Sequence, residues 1–369
     1  MRWSFPVGKI FNIPIRVHYT FILLLAFIWY VESTILGPEA GLHSVFFWAL
    51  IFLCVLVHEL AHSIVAKSYG LTVASIILLP IGGVSQITEI PHDPIKEVGI
   101  TIAGPVSNFV IAGVLLLLGK SLDPSLQFSE ISLQTGSTIV DLFWANVMLG
   151  LFNIIPAYPM DGGRILRGII AMKKEYLEAT RLAADVGKLF AIGFIVAGFF
   201  YNWWLILIGI FVFSGASSEA EAAALSSKLE KIKVSELMIT DFKNISPDEP
   251  LTAVVEKSLH TFQNDFPVIS DGKFVGILTR SAVIESLHHR LHETQVGEIA
   301  KRGFPIIASD ETASEALTAM RSAHVTVAPV EKDGTLKGII TIEKLLEASD
   351  VFSDRSPVDN EKGKDDRKK

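Results

Sequence analysis

The sequence is poor in cysteine, in charge and in basic residues. Its 369 residues include a single cysteine, Cys54, which excludes an intramolecular disulfide framework. Asp and Glu outnumber Lys and Arg by 39 to 32, so the chain lacks the basic surplus of nucleic-acid-binding proteins, and we expect no nucleic-acid partner. Only 19% of the residues are charged, against about 25% in soluble domains. The composition therefore argues against an ordinary soluble protein.

Half of the residues are hydrophobic, and they are concentrated in the first part of the chain. Six apolar stretches stand out there, and several approach the ~20 residues that a helix needs to cross the hydrocarbon of a bilayer. This pattern predicts a multi-span α-helical membrane domain with about six transmembrane helices, followed by a soluble part. The predicted spans are 17–31, 45–66, 98–118, 138–157, 183–200 and 203–218.

Lysine and arginine are distributed unequally between the loops. The segments 32–44, 119–137 and 201–202 contain only Lys120, whereas the segments between them are basic. By the positive-inside rule, the basic segments and both termini are cytoplasmic, which agrees with an even number of spans. We therefore expect a multi-pass protein of the cell membrane, in contact with lipid, with both termini in the cytoplasm.

The region 70–92 is apolar, but β-branched residues and a Pro–Gly-rich centre set it apart from the spans. Pro80, Gly82 and Gly83 interrupt it, so the pattern predicts a strand, a turn and a strand. Two interpretations are open for this hairpin. It is either a buried connection or an exposed strand edge that pairs with an extended peptide, as sheet edges do when they capture substrates.

The second span contains a motif typical of metal sites. His58 and His62 are four residues apart, so they lie on one face of a helix and can bind one metal ion. Glu59, between them, is placed to reach the water that such a site activates. Ionisable residues within an apolar span are costly and mark function, although a helix end that faces the cytoplasmic loops is the alternative.

The fourth span ends in a segment with two prolines and two glycines, Asn153 to Arg164, which predicts an irregular turn. Asp161 lies in this turn, and the topology places it at the same depth as the histidine pair. A carboxylate and two imidazoles can therefore meet and leave one position open, as at a catalytic zinc. The alternative for Asp161 is a simple turn residue, because Asp-Gly is a common turn dipeptide.

The sequence HELAH, followed by NIIPAYPMDGG, resembles the site-2 protease family of intramembrane zinc metalloproteases. The segments LLPIGGV at 78–84 and AGPVSN at 103–108 are also similar to family elements, and the likeness covers about residues 1–218. It implies one Zn²⁺ per chain on His58, His62 and Asp161, with Glu59 as general base. By analogy, Asn153 and Asn108 are candidates to stabilise the oxyanion of a membrane-tethered protein substrate.

The soluble part contains an internal repeat with an offset of 62 residues, beyond a linker helix at 219–232. Each copy has the pattern strand, Asp-Gly turn, strand and helix, and resembles a cytosolic α/β tandem CBS domain pair at 233–290 and 294–350. Residues 351–369 are predicted to be a disordered charged tail. The matched pairs are Pro267 and Pro329, Val268 and Val330, Asp271 and Asp333, Gly272 and Gly334, Gly276 and Gly338, Ile277 and Ile339, Thr279 and Thr341.

The likeness to CBS domains implies a cleft that often binds adenine nucleotides, with Thr279 and Thr341 as candidate contacts. Many nucleotide-binding copies have an Asp three residues after this Thr, but here Ala282 and Lys344 occupy those positions. A structural pair, or one that forms a homodimer, is the alternative.

The leading hypothesis is regulated intramembrane proteolysis by a zinc metalloendopeptidase that the CBS pair modulates. A CBS-gated metal or ion transporter is the alternative, although transporters usually show repeated membrane halves and none is evident here.

Overall fold

The computed structural model describes residues 3–87, 93–129, 136–259, 261, 263–270, 272–288 and 294–351. The contacts within the chain divide it into two compact units, Met1–Glu221 and Ala222–Lys369. Residues 88–92, at the end of the predicted hairpin region, lie outside the described residues, as does the predicted tail beyond residue 351.

The first unit is a helical membrane domain. Five of its described helices are long and apolar enough to cross a bilayer, and a sixth, of 17 residues, is shorter and also apolar. Each predicted span overlaps one of these helices, so the multi-span helical fold is confirmed. The helices are α1 (Tyr19–Leu36), α2 (Pro38–Ser68), α3 (Pro94–Leu122), α4 (Thr138–Ile154), α5 (Asp161–Ala171), α6 (Tyr176–Phe200) and α7 (Trp204–Leu229).

Most of the predicted spans are shorter than their helices, as α6 and α7 illustrate. Helix α6 begins at Tyr176, seven residues before the predicted start at 183, and α7 continues to Leu229 through the predicted linker helix. Charged residues such as Glu178 and Glu219 lower the hydropathy at these ends, but alanine-rich sequence keeps the backbone helical there. Hydropathy therefore located the apolar part of each helix rather than its full length.

A four-stranded sheet, with strand order β1-β2-β3-β4, accompanies the helices of this unit. Its strands are β1 (Ser4–Ile10), β2 (Ile13–His18), β3 (Val73–Leu79) and β4 (Gly82–Ile87). The hairpin predicted within 70–92 is confirmed as β3 and β4, and β4 lies at the edge of the sheet. Strands β1 and β2 were not predicted from the sequence; the chain turns between them at Phe11 and Asn12, with positive φ values of 51° and 62°.

The second unit contains the two predicted copies of the repeat. The first copy includes α8 (Val234–Leu237), α9 (Leu251–Leu259), β5 (Phe266–Ser270), β6 (Lys273–Leu278) and α10 (Arg280–His288). The second includes α11 (Val296–Ile299), β7 (Ile307–Ala308), α12 (Ala313–Ser322), β8 (Val327–Lys332), β9 (Thr335–Thr341) and α13 (Ile342–Val351). Both copies have the predicted antiparallel hairpin followed by a helix.

Helix α7 has residues in both units. Within the first unit, Val212 is buried in a cluster with Ala157 and Met160, and Ala216 is buried with Tyr158. Within the second unit, Leu229 is fully buried in the core of the second copy. The last turns of α7 are therefore part of a folded core rather than a free linker.

Candidate metal centre

The two histidines of the motif face each other on α2. His58 and His62 are 7% and 8% exposed, and their Nε2 atoms are 3.1 Å apart. Their spacing of four residues places them one turn apart on the same helical face, as the sequence predicted.

The orientation of His58 follows from a chain of hydrogen bonds. Asn146 Nδ2 donates to the Leu142 carbonyl at 2.8 Å, so the Oδ1 atom of Asn146 accepts from Asn108 Nδ2 at 3.4 Å. Asn108 Oδ1 therefore faces His58 Nδ1, 2.6 Å away, and His58 donates its Nδ1–H. The Nε2 lone pair of His58 is left to face the site.

His62 is held in the same tautomer by the backbone. Its Nδ1 atom lies 2.8 Å from the carbonyl oxygen of Ile100 on α3, and a carbonyl can only accept. His62 therefore donates from Nδ1 and directs the Nε2 lone pair toward that of His58. Such orienting acceptors are typical of histidines that bind a metal.

Asp161 completes a set of three acceptors. Its Oδ2 atom lies 3.2 Å from His58 Nε2 and 3.3 Å from His62 Nε2, and no described residue donates a hydrogen bond to it. One ligand atom from each of the three residues lies within 4.8 Å of the others. Two lone pairs and a carboxylate oxygen that converge without a donor fit a cation, so the residues fit a zinc ion.

A glycine keeps the centre of the site open. Helix α3 passes the histidines at Gly104, where an added Cβ would lie 2.6 Å from His58 Nε2 and closer still to His62 Nε2. The missing side chain therefore leaves the space into which both Nε2 lone pairs point. Gly104 belongs to the AGPVSN segment, but its contact with the histidines could not be derived from the sequence.

Glu59 lies beside the three acceptors and is held by the hairpin. Ser85 on β4 donates to Glu59 Oε2 at 2.5 Å, and Ser63 donates to Ser85 Oγ at 3.2 Å. A Cβ at Gly83 would overlap the Glu59 side chain. Strand β4 therefore packs directly against Glu59, a contact between distant parts of the chain that the sequence analysis missed.

A cavity of about 380 Å³ contains the site, and its wall includes His58, Glu59, Gly83, Asn108, Asn153 and Asp161. The two candidate asparagines differ in their contacts. Asn108 is engaged by His58 and Asn146, whereas Asn153 donates one Nδ2–H to Leu149 of its own helix at 3.0 Å. The second amide N–H of Asn153 can therefore serve a group in the cavity.

The candidate nucleotide residues of the second unit occupy equivalent positions at the start of a helix. Thr279 Oγ1 accepts from the Ala282 N–H at 3.3 Å before α10, and Thr341 Oγ1 accepts from the Lys344 N–H at 3.2 Å before α13. Each hydroxyl therefore caps a helix N-terminus. The structure gives both threonines this capping contact, and their nucleotide role stays a prediction.

Comparison with known families identifies both parts of the chain. The model of peptidase family M50 matches residues 46–194, and the CBS domain model matches residues 234–289 and 296–350. The protein named zinc metalloprotease MJ0392, from Methanocaldococcus jannaschii, is 36% identical over 357 residues, which cover 95% of this chain and 98% of that protein.

Two further relatives have related names. The putative zinc metalloprotease Rip3 of Mycobacterium tuberculosis is 26% identical over 385 residues, with 95% of this chain and 94% of that protein covered. A solved site-2 protease from Methanocaldococcus jannaschii is 40% identical, with a TM-score of 0.43, over 59% of this chain and 95% of that chain. The matching family models and the names of the two curated relatives give the transporter alternative no support.

Proposed function

Because the chain belongs to peptidase family M50, the site-2 proteases, and is a zinc metalloprotease with several membrane spans, we propose that it cleaves a membrane-tethered protein. The scissile bond lies in or near the transmembrane segment of that substrate. The proposal includes the placement of the protein in the cell membrane with both termini in the cytoplasm, for which the distribution of Lys and Arg is the support.

The observation that carries this proposal is the convergence of His58, His62 and Asp161 on one point with acceptor atoms only. We assign these three residues as the zinc ligands. When bound there, zinc supplies Lewis-acid chemistry that polarises a peptide carbonyl and makes water acidic. The Asn108 and Ile100 acceptors fix both imidazoles in the orientation that this requires.

Glu59 is the proposed general base. Its carboxylate lines the same cavity as His58 and Asp161, where it can take a proton from the attacking water and return it to the leaving amine. The hydrogen bond from Ser85 fixes one oxygen, Oε2, and leaves Oε1 for the water. Asn153 and Asn108 each donate one described hydrogen bond from the side-chain amide, and Asn153 is favoured as the donor to the developing oxyanion because it is partly exposed whereas Asn108 is only 1% exposed.

Strand β4 is the proposed substrate platform. It is the edge strand of its sheet, and its residues Gly82, Gly83 and Val84 line the cavity beside Glu59. An extended peptide that pairs with this edge would have its backbone close to the general base. This position favours the peptide-binding interpretation of the hairpin over a buried connection.

The CBS pair is the proposed regulator. We keep the division of the chain into a membrane protease domain (1–218), a linker helix (219–232) and two CBS domains (233–290 and 294–350) as part of the proposal. An adenine nucleotide at the pair, near Thr279 and Thr341, or a homodimer formed through it, would change the state of the second unit. Helix α7, which has residues in both units, is the route by which that change reaches the protease.

The proposal is tested by substitution of the general base. The variant Glu59→Gln keeps the zinc ligands and the size of the side chain, so it should bind one zinc per chain but lose cleavage. A proteomic comparison of membranes with wild-type and variant protein should show a single-span protein that accumulates uncut. The matched control is Glu178→Gln, an exposed member of a surface pair with Lys174, which should behave as wild type. Retained proteolysis by purified Glu59→Gln protein would contradict the mechanism.

A further inference from the structure

A buried ion-pair cluster in the first unit has no part in the proposed chemistry. Arg167 and Glu97 are only 3% and 2% exposed, and Arg167 donates from Nε at 2.8 Å and from Nη2 to the same oxygen of Glu97. A third bond runs from Arg167 Nη1 to Glu219 on α7, at 2.7 Å. Charges buried in a membrane domain are expensive, so a cluster of this kind points to a function.

The ion pair joins the two helices that hold opposite sides of the metal centre. Arg167 lies on α5, a helix whose first residue is Asp161. Glu97 lies on α3, one turn before Ile100, whose carbonyl accepts from His62. The pair therefore links the helix that provides the carboxylate to the helix that orients an imidazole.

The same guanidinium also packs against the turn that precedes Asp161. Its central carbon is 5.5 Å from the centroid of the Tyr158 ring and 4.8 Å from that of Tyr176, which are cation–π distances. Tyr158 lies between the two prolines of the turn and is 1% exposed. Arg167 thus contacts the turn, α3 and α7 at once.

We propose that Arg167 is a positioning residue of the metal centre, which sets where Asp161 lies relative to the two histidines. Arg167 is six residues from Asp161 on a continuous helix, about 9 Å along its axis, so the contacts that hold the Arg167 guanidinium also restrain the helix that carries the carboxylate. The planar guanidinium of Arg167 contacts both carboxylates and both aromatic rings at once, which the single ammonium group of a lysine cannot do. The inference rests on the proposed zinc ligands but not on proteolysis.

The test measures zinc binding by the full-length protein, by competition with a chelator, beside the thermal unfolding of the zinc-free protein. Arg167→Lys keeps the positive charge but loses the planar guanidinium group and its several N–H donors. The double variant Arg167→Met with Glu97→Leu removes both fully buried charges together, so that only Glu219, whose side chain is 31% exposed, loses its partner. The control is Lys174→Met, which breaks the exposed pair with Glu178 on the same unit.

We expect Arg167→Lys to lower zinc affinity by about 10- to 100-fold, as loss of a supporting residue does at other metal sites. The double variant should unfold at or above the wild-type temperature and still show the loss of zinc affinity, because positioning and stability are separate effects. Lys174→Met should change neither quantity. Wild-type zinc affinity in the double variant would overturn the proposal, even if Arg167→Lys does not fold. A wild-type protein that binds no zinc would instead contradict the proposed ligand set.

Discussion

The hydrogen bond from Asn146 to the Leu142 carbonyl decides which nitrogen of His58 carries the proton, because it fixes the two side-chain amides so that Asn108 Oδ1 accepts from His58 Nδ1. His58, Glu59 and His62 could be predicted from the sequence because they are neighbours on one helix. Asp161 could be added because the predicted topology places it at the same depth in the membrane as the two histidines. Asn146, Gly104 and Ser85 could not be predicted, since each reaches the site from another element and no spacing in the sequence records that contact.

Gly104 provides a sharp test at the residue scale. The variant Gly104→Ala places a methyl group between the two Nε2 atoms, so zinc affinity should fall by about 100-fold, the upper end of what supporting residues contribute. Zinc content after dialysis against a chelator measures this. Gly113→Ala is the matched control, because it lies on the same helix with nothing within 4 Å of an added Cβ. Equal zinc content in the two variants would argue against the site.

At the scale of the elements, the helices and the hairpin that local composition determines could be predicted from the sequence. The strands that depend on pairing with distant residues could not. The apolar stretches located six helices, and β-branched residues with Pro80 and Gly82 located the hairpin of β3 and β4. Strand β1 could not be predicted because its mostly exposed, mixed sequence carries little hydropathy. Strand β2 is short, and although Ile13 and Ile15 are buried, it is completed by parallel pairing with β3 from a distant part of the chain. Long-range pairing of this kind leaves no local periodicity.

The position of β4 at the edge of its sheet leads to a prediction about substrate binding. If substrate pairs with β4, a cysteine at Val84 should form a disulfide with a cysteine near the scissile bond of a bound substrate. The comparison uses Val7 on β1, the opposite edge of the same sheet, which is 63% exposed against 43% for Val84. Both variants are made in a Cys54→Ser background, and cross-linked substrate is measured on gels. Equal cross-linking at the two edges would exclude β4 as the platform.

On the scale of the whole molecule, the chain combines a membrane protease with a CBS pair, and α7 has residues in both units. The two-part organisation could be predicted, because hydropathy changes near residue 216 and the repeat follows it. The continuity of α7 could not, since its apolar and its alanine-rich parts look like two separate segments. Its final turns are anchored in the second unit by buried Leu229 and by a 2.8 Å hydrogen bond between Ser226 and Ser314.

The continuous helix α7 predicts which substitutions abolish regulation of cleavage by the CBS pair. Replacement of Ala222, Ala223 and Ala224 by glycine weakens the helix by about 1 kcal/mol per residue, whereas replacement by glutamine preserves it. If ATP or AMP binds the CBS pair, it should change the cleavage rate of the wild-type and glutamine proteins but not that of the glycine protein. Cleavage without nucleotide should be similar in all three. An identical nucleotide response in the glycine protein would exclude α7 as the route.

The central claim is that His58, His62 and Asp161 hold the catalytic zinc, and X-ray absorption at the zinc edge of the purified protein tests it most directly. The account predicts nitrogen and oxygen ligands at about 2.0–2.1 Å, with the scattering pattern of two imidazoles. Replacement of both histidines by alanine should abolish that pattern. A sulfur ligand at about 2.3 Å, which only Cys54 or a methionine could supply, or an unchanged spectrum in the double variant, would contradict it.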